Sequence, residues 1–180
     1  MSEAVAEPAL ALAADRPAAE PFEALYRRAF PRVYAYVASL LRDRSAAEEV
    51  TAQAFERAWR KRSTYHPARG SAEAWLFGIA RHAALDELRR LKRRATLEGE
   101  PADLYATEPE DHANAVVRRE TVRAALAELE PRDRDLVALK FHAGLSNAEI
   151  ARVLELSESN VGTKLHRTME KLRRACVERA

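Results

Sequence analysis

From Phe22 onward, apolar residues recur at the three- and four-residue intervals of amphipathic helices, and no stretch shows the alternation of a half-buried strand. Phe22, Leu25, Tyr26, Phe30, Val33, Tyr36, Val37 and Leu40 trace one stripe. Pro31 is expected to break or kink it, because proline lacks an amide hydrogen and crowds the preceding turn. Ser45-Ala46-Ala47-Glu48 has the form of a capping box. It predicts a helix that buries Ala47, Val50, Thr51, Ala54, Phe55 and Ala58 and ends near Arg62. After a loop from Ser63 to Gly70, Ser71 caps a long helix with Phe77, Ala80, Ala84, Leu88 and Leu91 on its buried side. That helix is expected to end at the cluster Arg89-Arg90-Leu91-Lys92-Arg93-Arg94.

Leu97 to Ala113 contains Pro101 and Pro109 and carries no helical stripe, which predicts a linker. Val122, Ala125, Leu126 and Leu129 open a second helical unit, interrupted at Glu130-Pro131. A helix through Leu136, Val137 and Leu139 then runs to Gly144, read as a left-handed C-cap. The expected fold is all-α: two small helical domains joined by an acidic flexible linker, the second ending in a helix-turn-helix. The boundaries are a disordered tail at 1–20, a first domain at 21–95, the linker at 96–115 and a second domain at 116–180.

The helix-turn-helix rests on two caps in succession. Ser146 and Glu149 form a capping box ahead of Ile150, Ala151, Val153 and Leu154, and Ser157 caps the next helix. Its Val161, Leu165, Thr168 and Leu172 recur at helical spacing, leaving Ser159, Asn160, Thr163, Lys164, Arg167 and Lys171 on the opposite face. Amide, hydroxyl and basic groups on such a helix are suited to reading the DNA major groove. Glu155 stands where such turns usually place glycine, and a left-handed conformation there costs a non-glycine residue roughly 1 kcal/mol.

Charge sharpens this division. Residues 21–95 hold 16 Lys/Arg against 8 Asp/Glu, residues 96–115 hold six acids and no Lys/Arg, and residues 116–180 hold 13 against 10. The first 20 residues are acidic, so a net charge of +2 conceals two basic units around an acidic tether. Extended at ~3.4 Å per residue, about 20 linker residues reach some 60–70 Å. Two polyanion-binding units are implied.

A second nucleic-acid surface is expected on the long helix and the loop before it. Trp75, His82, Arg89 and Arg93 share the side opposite the apolar stripe, and Tyr65, His66 and Arg69 lie in the loop. Aromatic faces for unstacked bases beside cations for phosphates are what a single strand needs. Cys176 is alone, so neither an internal disulfide nor a cysteine-based metal site is expected. No signal peptide or membrane-spanning run stands out, which points to the cytoplasm. His66, His82 and His142 are scattered, and neither a glycine-rich phosphate loop nor a paired-carboxylate site emerges. No catalytic role, cofactor or metal is expected.

Taken in order, Leu25-Tyr26, Ala47-Glu48-Glu49-Val50 with Phe55 and Ala58-Trp59, Ala74-Trp75-Leu76 with Ile79-Ala80-Arg81, Asp86 with Leu88-Arg89-Arg90, and the helix-turn-helix ending Leu165-His166-Arg167 resemble the extracytoplasmic-function subfamily of bacterial RNA polymerase sigma factors. The resemblance runs from about Phe22 to Arg174. Glu49, Ala52, His82 and Glu155 depart from the residues frequent in that family. It implies that the first domain binds the clamp of core RNA polymerase and opens promoter DNA at the −10 element, while the second reads the −35 element. Glu49, Gln53, Glu56 and Arg60, on the exposed face of the second helix, would contact the polymerase. Tyr65, His66, Arg69, Trp75, His82, Arg89 and Arg93 would serve strand opening, and an anti-sigma partner is implied. A different class also fits a helix-turn-helix, namely a regulator acting alone as a homodimer, although the chain offers no heptad seam for one.

Overall fold

The computed structural model describes residues 21–98 and 113–178, and among them there are seven α-helices and no strand. The helices are α1 (Phe22–Leu41), α2 (Arg44–Arg60), α3 (Ala72–Glu98), α4 (Ala113–Ala127), α5 (Pro131–Phe141), α6 (Asn147–Leu154) and α7 (Glu158–Val177). Two short 3₁₀ turns, Arg62–Thr64 and Pro67–Arg69, connect α2 to α3. The N-terminal tail and most of the expected linker lie outside the described residues. At the linker's edges helix takes over, since α3 continues to Glu98 and α4 begins at Ala113.

Several local expectations need correction. Pro31 does not break α1: Leu25, Ala29, Val33, Tyr36 and Val37 keep one buried register across it. Pro31 is itself exposed, so the missing donor falls on the solvent side of the helix. Helix α2 is capped by Asp43 rather than Ser45. The Asp43 carboxylate accepts from the Ala46 amide at 2.7 Å, a charge-assisted cap, and Glu48 pairs with Arg44 instead. Helix α5 stops at Phe141, and Gly144 (φ 64°) shapes the following turn, where the Leu145 amide donates to the Leu139 carbonyl. Val122 is 48 % exposed, leaving Ala125 and Leu129 to pack with Val137 and Leu172 in a small cluster.

Other elements follow their sequence. All six residues assigned to the interior of α2 are buried. The Ser146–Glu149 capping box forms, Glu155 adopts the left-handed conformation (φ 56°), and Ser157 accepts from the Asn160 amide. Arg134 closes the turn after α4 by donating to the carbonyls of Leu126, Ala127 and Leu129.

The two groups of helices do not stand apart. Leu136, Leu139 and Ile150 share one core with Val33, Val37, Leu76 and Phe77, because α5 packs on α1 and α6 on α3. Thr51 sits in this core at 0 % exposure, and its hydroxyl has no hydrogen-bond partner among the described residues. Thr51→Val keeps the branched shape without that hydroxyl, so it should stabilise the protein by about 1 kcal/mol. A lower melting temperature would show that the hydroxyl does have a partner. Glu155→Gly relieves a left-handed backbone worth roughly 1–2 kcal/mol, but frees the unfolded chain by roughly 0.4–1 kcal/mol. A gain of up to about 1 kcal/mol in denaturant unfolding is expected, and a clear loss would contradict it.

Candidate nucleic-acid interface

Helix α7 divides cleanly. Val161, Leu165, Thr168 and Leu172 are buried, whereas Ser159, Asn160, Thr163, Lys164, Arg167 and Lys171 are all exposed on the other side. Two of the six already have partners: Thr163 Oγ1 donates to the Ser159 carbonyl at 3.0 Å, and Lys171 Nζ reaches Asp133 at 3.0 Å. Asn160, Lys164 and Arg167 stand in the middle of the open face, one turn apart along the helix.

The loop and the start of α3 form a second site. The Tyr65 ring lies 5.6 Å from the Trp75 ring, and its hydroxyl donates to the Gly70 carbonyl at 3.1 Å. Both rings are half-buried, with His66 and Arg69 exposed beside them. These four residues share a cleft of about 350 Å³. His82, Arg89 and Arg93 are exposed but lie farther along α3. At 1.5 Å per residue, Arg93 is about 27 Å from Trp75. The structure therefore gathers four of the seven strand-opening candidates into one cleft and strings the rest along a helix. His82 Nδ1 lies 2.7 Å from the Gly78 carbonyl, which only accepts, so Nδ1 carries the hydrogen and donates. Arg89 pairs with Asp86 at 2.8 Å.

On α2, Glu49, Glu56 and Arg60 are exposed and Gln53 is half-buried. Gln53 donates to Glu49 at 3.0 Å and Arg60 to Glu56 at 2.6 Å, so this face is ordered by pairs within its own helix. Next to it is an aromatic surface, of which the helical pattern placed Tyr26 and Phe30 on the stripe of α1. Tyr26, Phe30 and Trp59 are exposed, and Arg62 stacks over Trp59 at 3.9 Å.

The polar contacts between the two helical groups were not anticipated. Asp135 on α5 is 4 % exposed; it accepts from the Tyr36 hydroxyl and from Arg81 Nε, each at 2.7 Å. Burial, and then the neighbouring Asp135 charge, raises the Tyr36 phenol well above its ordinary range. Arg32 donates to Glu73 at 2.7 Å and through Nε to the Ala143 carbonyl at 2.9 Å. The Ser71 hydroxyl caps α3 by accepting from the Ala74 amide, and it donates to Glu149 at 2.5 Å. The signal was Asp135, the acid that adjoins the apolar run Leu136-Val137-Ala138-Leu139.

Burial disfavours the charged form of Glu149, but donors from Ser71 and Ser146, together with Arg32, outweigh it and hold the carboxyl below its ordinary range. A depressed folded-state value contributes stability above the unfolded value, and that stability is lost as pH falls through the folded one. Glu149→Gln should therefore cost about 1–2 kcal/mol at neutral pH, with the difference from wild type shrinking as pH falls through the carboxylate range. Denaturant unfolding across that range checks this, and a gap independent of pH would contradict it.

Comparison with known proteins identifies the chain. The family model for sigma-70 region 2 matches residues 25–94, and that for sigma-70 region 4 matches residues 119–172. The ECF RNA polymerase sigma factor SigK of Mycobacterium tuberculosis is 31% identical over 160 residues, covering 84% of this chain and 83% of that protein. SigK of Mycolicibacterium vanbaalenii is 29% identical over 160 residues, covering 87% and 82%. The sigma factor RpoE of Bartonella quintana, solved in complex with the anti-sigma factor NepR, shares the fold with a TM-score of 0.72 at 20% identity, over 86% of this chain and 95% of that one. CnrH, solved with the cytosolic domain of CnrY, follows at a TM-score of 0.63 and 23% identity, over 85% of each chain. The chain belongs to the extracytoplasmic-function subfamily of RNA polymerase sigma factors and directs promoter-specific transcription initiation. The homodimeric regulator gives way to this reading.

Proposed function

We propose that the two helical groups divide promoter recognition between them. Residues 21–95 act as the region 2-like domain, with Glu49, Gln53, Glu56 and Arg60 of α2 meeting core RNA polymerase. Tyr65, His66, Arg69 and Trp75 receive the unpaired non-template strand at the −10 element, while His82, Arg89 and Arg93 extend a cationic path for its phosphates. Residues 116–180 act as the region 4-like domain, in which Ser159, Asn160, Thr163, Lys164, Arg167 and Lys171 read the −35 element in the major groove. The acidic segment 96–115 links the two and occupies a channel of the polymerase suited to polyanions. The polymerase supplies all the chemistry, and this chain supplies recognition and strand opening in the cytoplasm. An anti-sigma factor regulates it, as NepR and CnrY accompany RpoE and CnrH in their structures.

The observation that carries this reading is the cleft where Tyr65 and Trp75 meet beside His66 and Arg69. Opening a duplex replaces base stacking with protein surface, and one base–aromatic contact supplies about 1–3 kcal/mol. Trp75→Ala should fold, bind core polymerase and bind the upstream element, yet fail to produce permanganate-reactive thymines near the start site. A pre-melted bubble template should restore transcription. If duplex and bubble templates suffer equally and the melting temperature drops, Trp75 is a packing residue and the reading fails.

On the upstream side, Arg167→Ala should lose about 1–3 kcal/mol of discrimination at one −35 position if Arg167 makes a bidentate base contact. Competition footprinting on single-base variants measures this. Equal weakening on every sequence would make it a phosphate contact, and alanine at all six α7 positions leaving the footprint intact would remove α7 as the reader.

A further inference from the structure

We propose that the acidic N-terminal segment of this chain, residues 1–20, docks through Leu10 and Leu12 in an aromatic groove of the first helical group. The groove runs between the start of α1, the end of α2 and the start of α3, and Phe22, Trp59, Tyr65, Pro67 and Trp75 line it. Its volume of about 780 Å³ falls in the ~300–1,000 Å³ range of pockets that hold ligands. Phe22 and Trp59 meet edge-on in its wall, with ring centres 5.1 Å apart. Among the described residues little covers this pair, for Trp59 is 48 % exposed. An aromatic ring left so open beside other aromatic side chains marks a surface made to be covered.

Position, pattern and charge together select the occupant. Pro21, the residue that leads into α1, lines the groove, so the preceding segment leaves the fold at its rim. That segment carries the apolar run Pro8-Ala9-Leu10-Ala11-Leu12-Ala13-Ala14, flanked by Glu7 and Asp15. Leu10 is 11 residues from Pro21. At ~3.4 Å per residue this is a reach of about 37 Å, ample to turn back along the groove. Glu3, Glu7, Asp15 and Glu20 stand against Arg16 alone, which leaves the segment acidic. On the groove's α2 side, Arg62 lies over the Trp59 ring at 3.9 Å and donates to the Trp59 carbonyl, and no carboxylate pairs with it among the described residues. Acids of the groove sit on the other side and are already engaged: Glu73 accepts from Arg28 and Arg32, and Glu149 from Ser71. Those acids repel a continuous run of phosphates, whereas an apolar peptide with separated carboxylates meets both ends of the groove.

The chain carries its own probe, because its two tryptophans, Trp59 and Trp75, both line the groove. The test uses the full chain. A short tether holds the segment at millimolar effective concentration, so Leu10→Asp with Leu12→Asp should steepen acrylamide quenching of tryptophan fluorescence about twofold. Quenching equal to wild type overturns the proposal. A second measurement places the contact: a photo-crosslinking benzoylphenylalanine at position 10, with the adducts mapped by mass spectrometry. Adducts within the same chain at Phe22, Trp59 or Tyr65 are expected. Arg62 is exposed, so Arg62→Glu keeps the fold and should cut their yield severalfold. Glu7→Lys with Asp15→Lys should then restore it, since the charges are exchanged. Adducts elsewhere on the chain, or a yield indifferent to both charge changes, would overturn the proposal. So would dimer-sized adducts that vanish on dilution, which would give the groove to the segment of a second copy. If position 10 forms no adduct while a single-stranded DNA or core polymerase shields both tryptophans, the groove belongs to that ligand and the proposal falls.

Discussion

Asp135 is the constraint on which the arrangement depends. An acid on an apolar helix stripe is tolerable only when its carboxylate is fully engaged, and Tyr36 and Arg81 each donate to one of its oxygens at 2.7 Å. Leaving such a buried charge without one partner costs about 3–5 kcal/mol, so α5 has little freedom to slide or rotate against α1 and α3. Once α5 is placed, the turn at Gly144 and the capped start of α6 fall beside Ser71, and Arg152 falls on Gly70. One polar triad thus specifies how two independently patterned groups of helices meet. Apolar packing of Leu136, Leu139 and Ile150 against Phe77 and its neighbours supplies the non-directional part of the contact.

That contact gives the two proposed nucleic-acid surfaces different exposures. The polar face of α7, with Asn160, Lys164 and Arg167, is exposed, whereas the aromatic cleft is lined on one side by Arg152 of α6. The aromatic surface around Trp59 and the proposed polymerase residues Glu49, Glu56 and Arg60 of α2 remain exposed in this arrangement.

Much of the fold was legible because helical periodicity is a local signal. The buried stripes of α2 and α7, and the caps at Ser146 and Ser157, follow from neighbours within four residues of each other. Local competition explains the misreadings: Asp43 outcompetes Ser45 as a cap, and the solvent side of α1 accommodates Pro31. Of the candidate sites, the α7 face was readable from one helix, since its exposed positions are set by its own buried ones. The covered cleft was not, because Arg152 and Gly70 are 82 residues apart in the chain and meet only through tertiary packing. Asp135 offered a trace, an acid directly before an apolar run, but its partners Tyr36 and Arg81 lie on other helices.

The most direct measurement is a distance. Fluorophores on an exposed position of α1, such as Ala24, and on an exposed position of α7, such as Arg173, report the separation of the two helical groups by single-molecule energy transfer. Packing through Asp135 predicts one high-efficiency population in the free chain, and a shift to low efficiency when core polymerase binds and the groups move to separate promoter elements. A low-efficiency or broad distribution in the free chain, or an efficiency unchanged on polymerase, would contradict it.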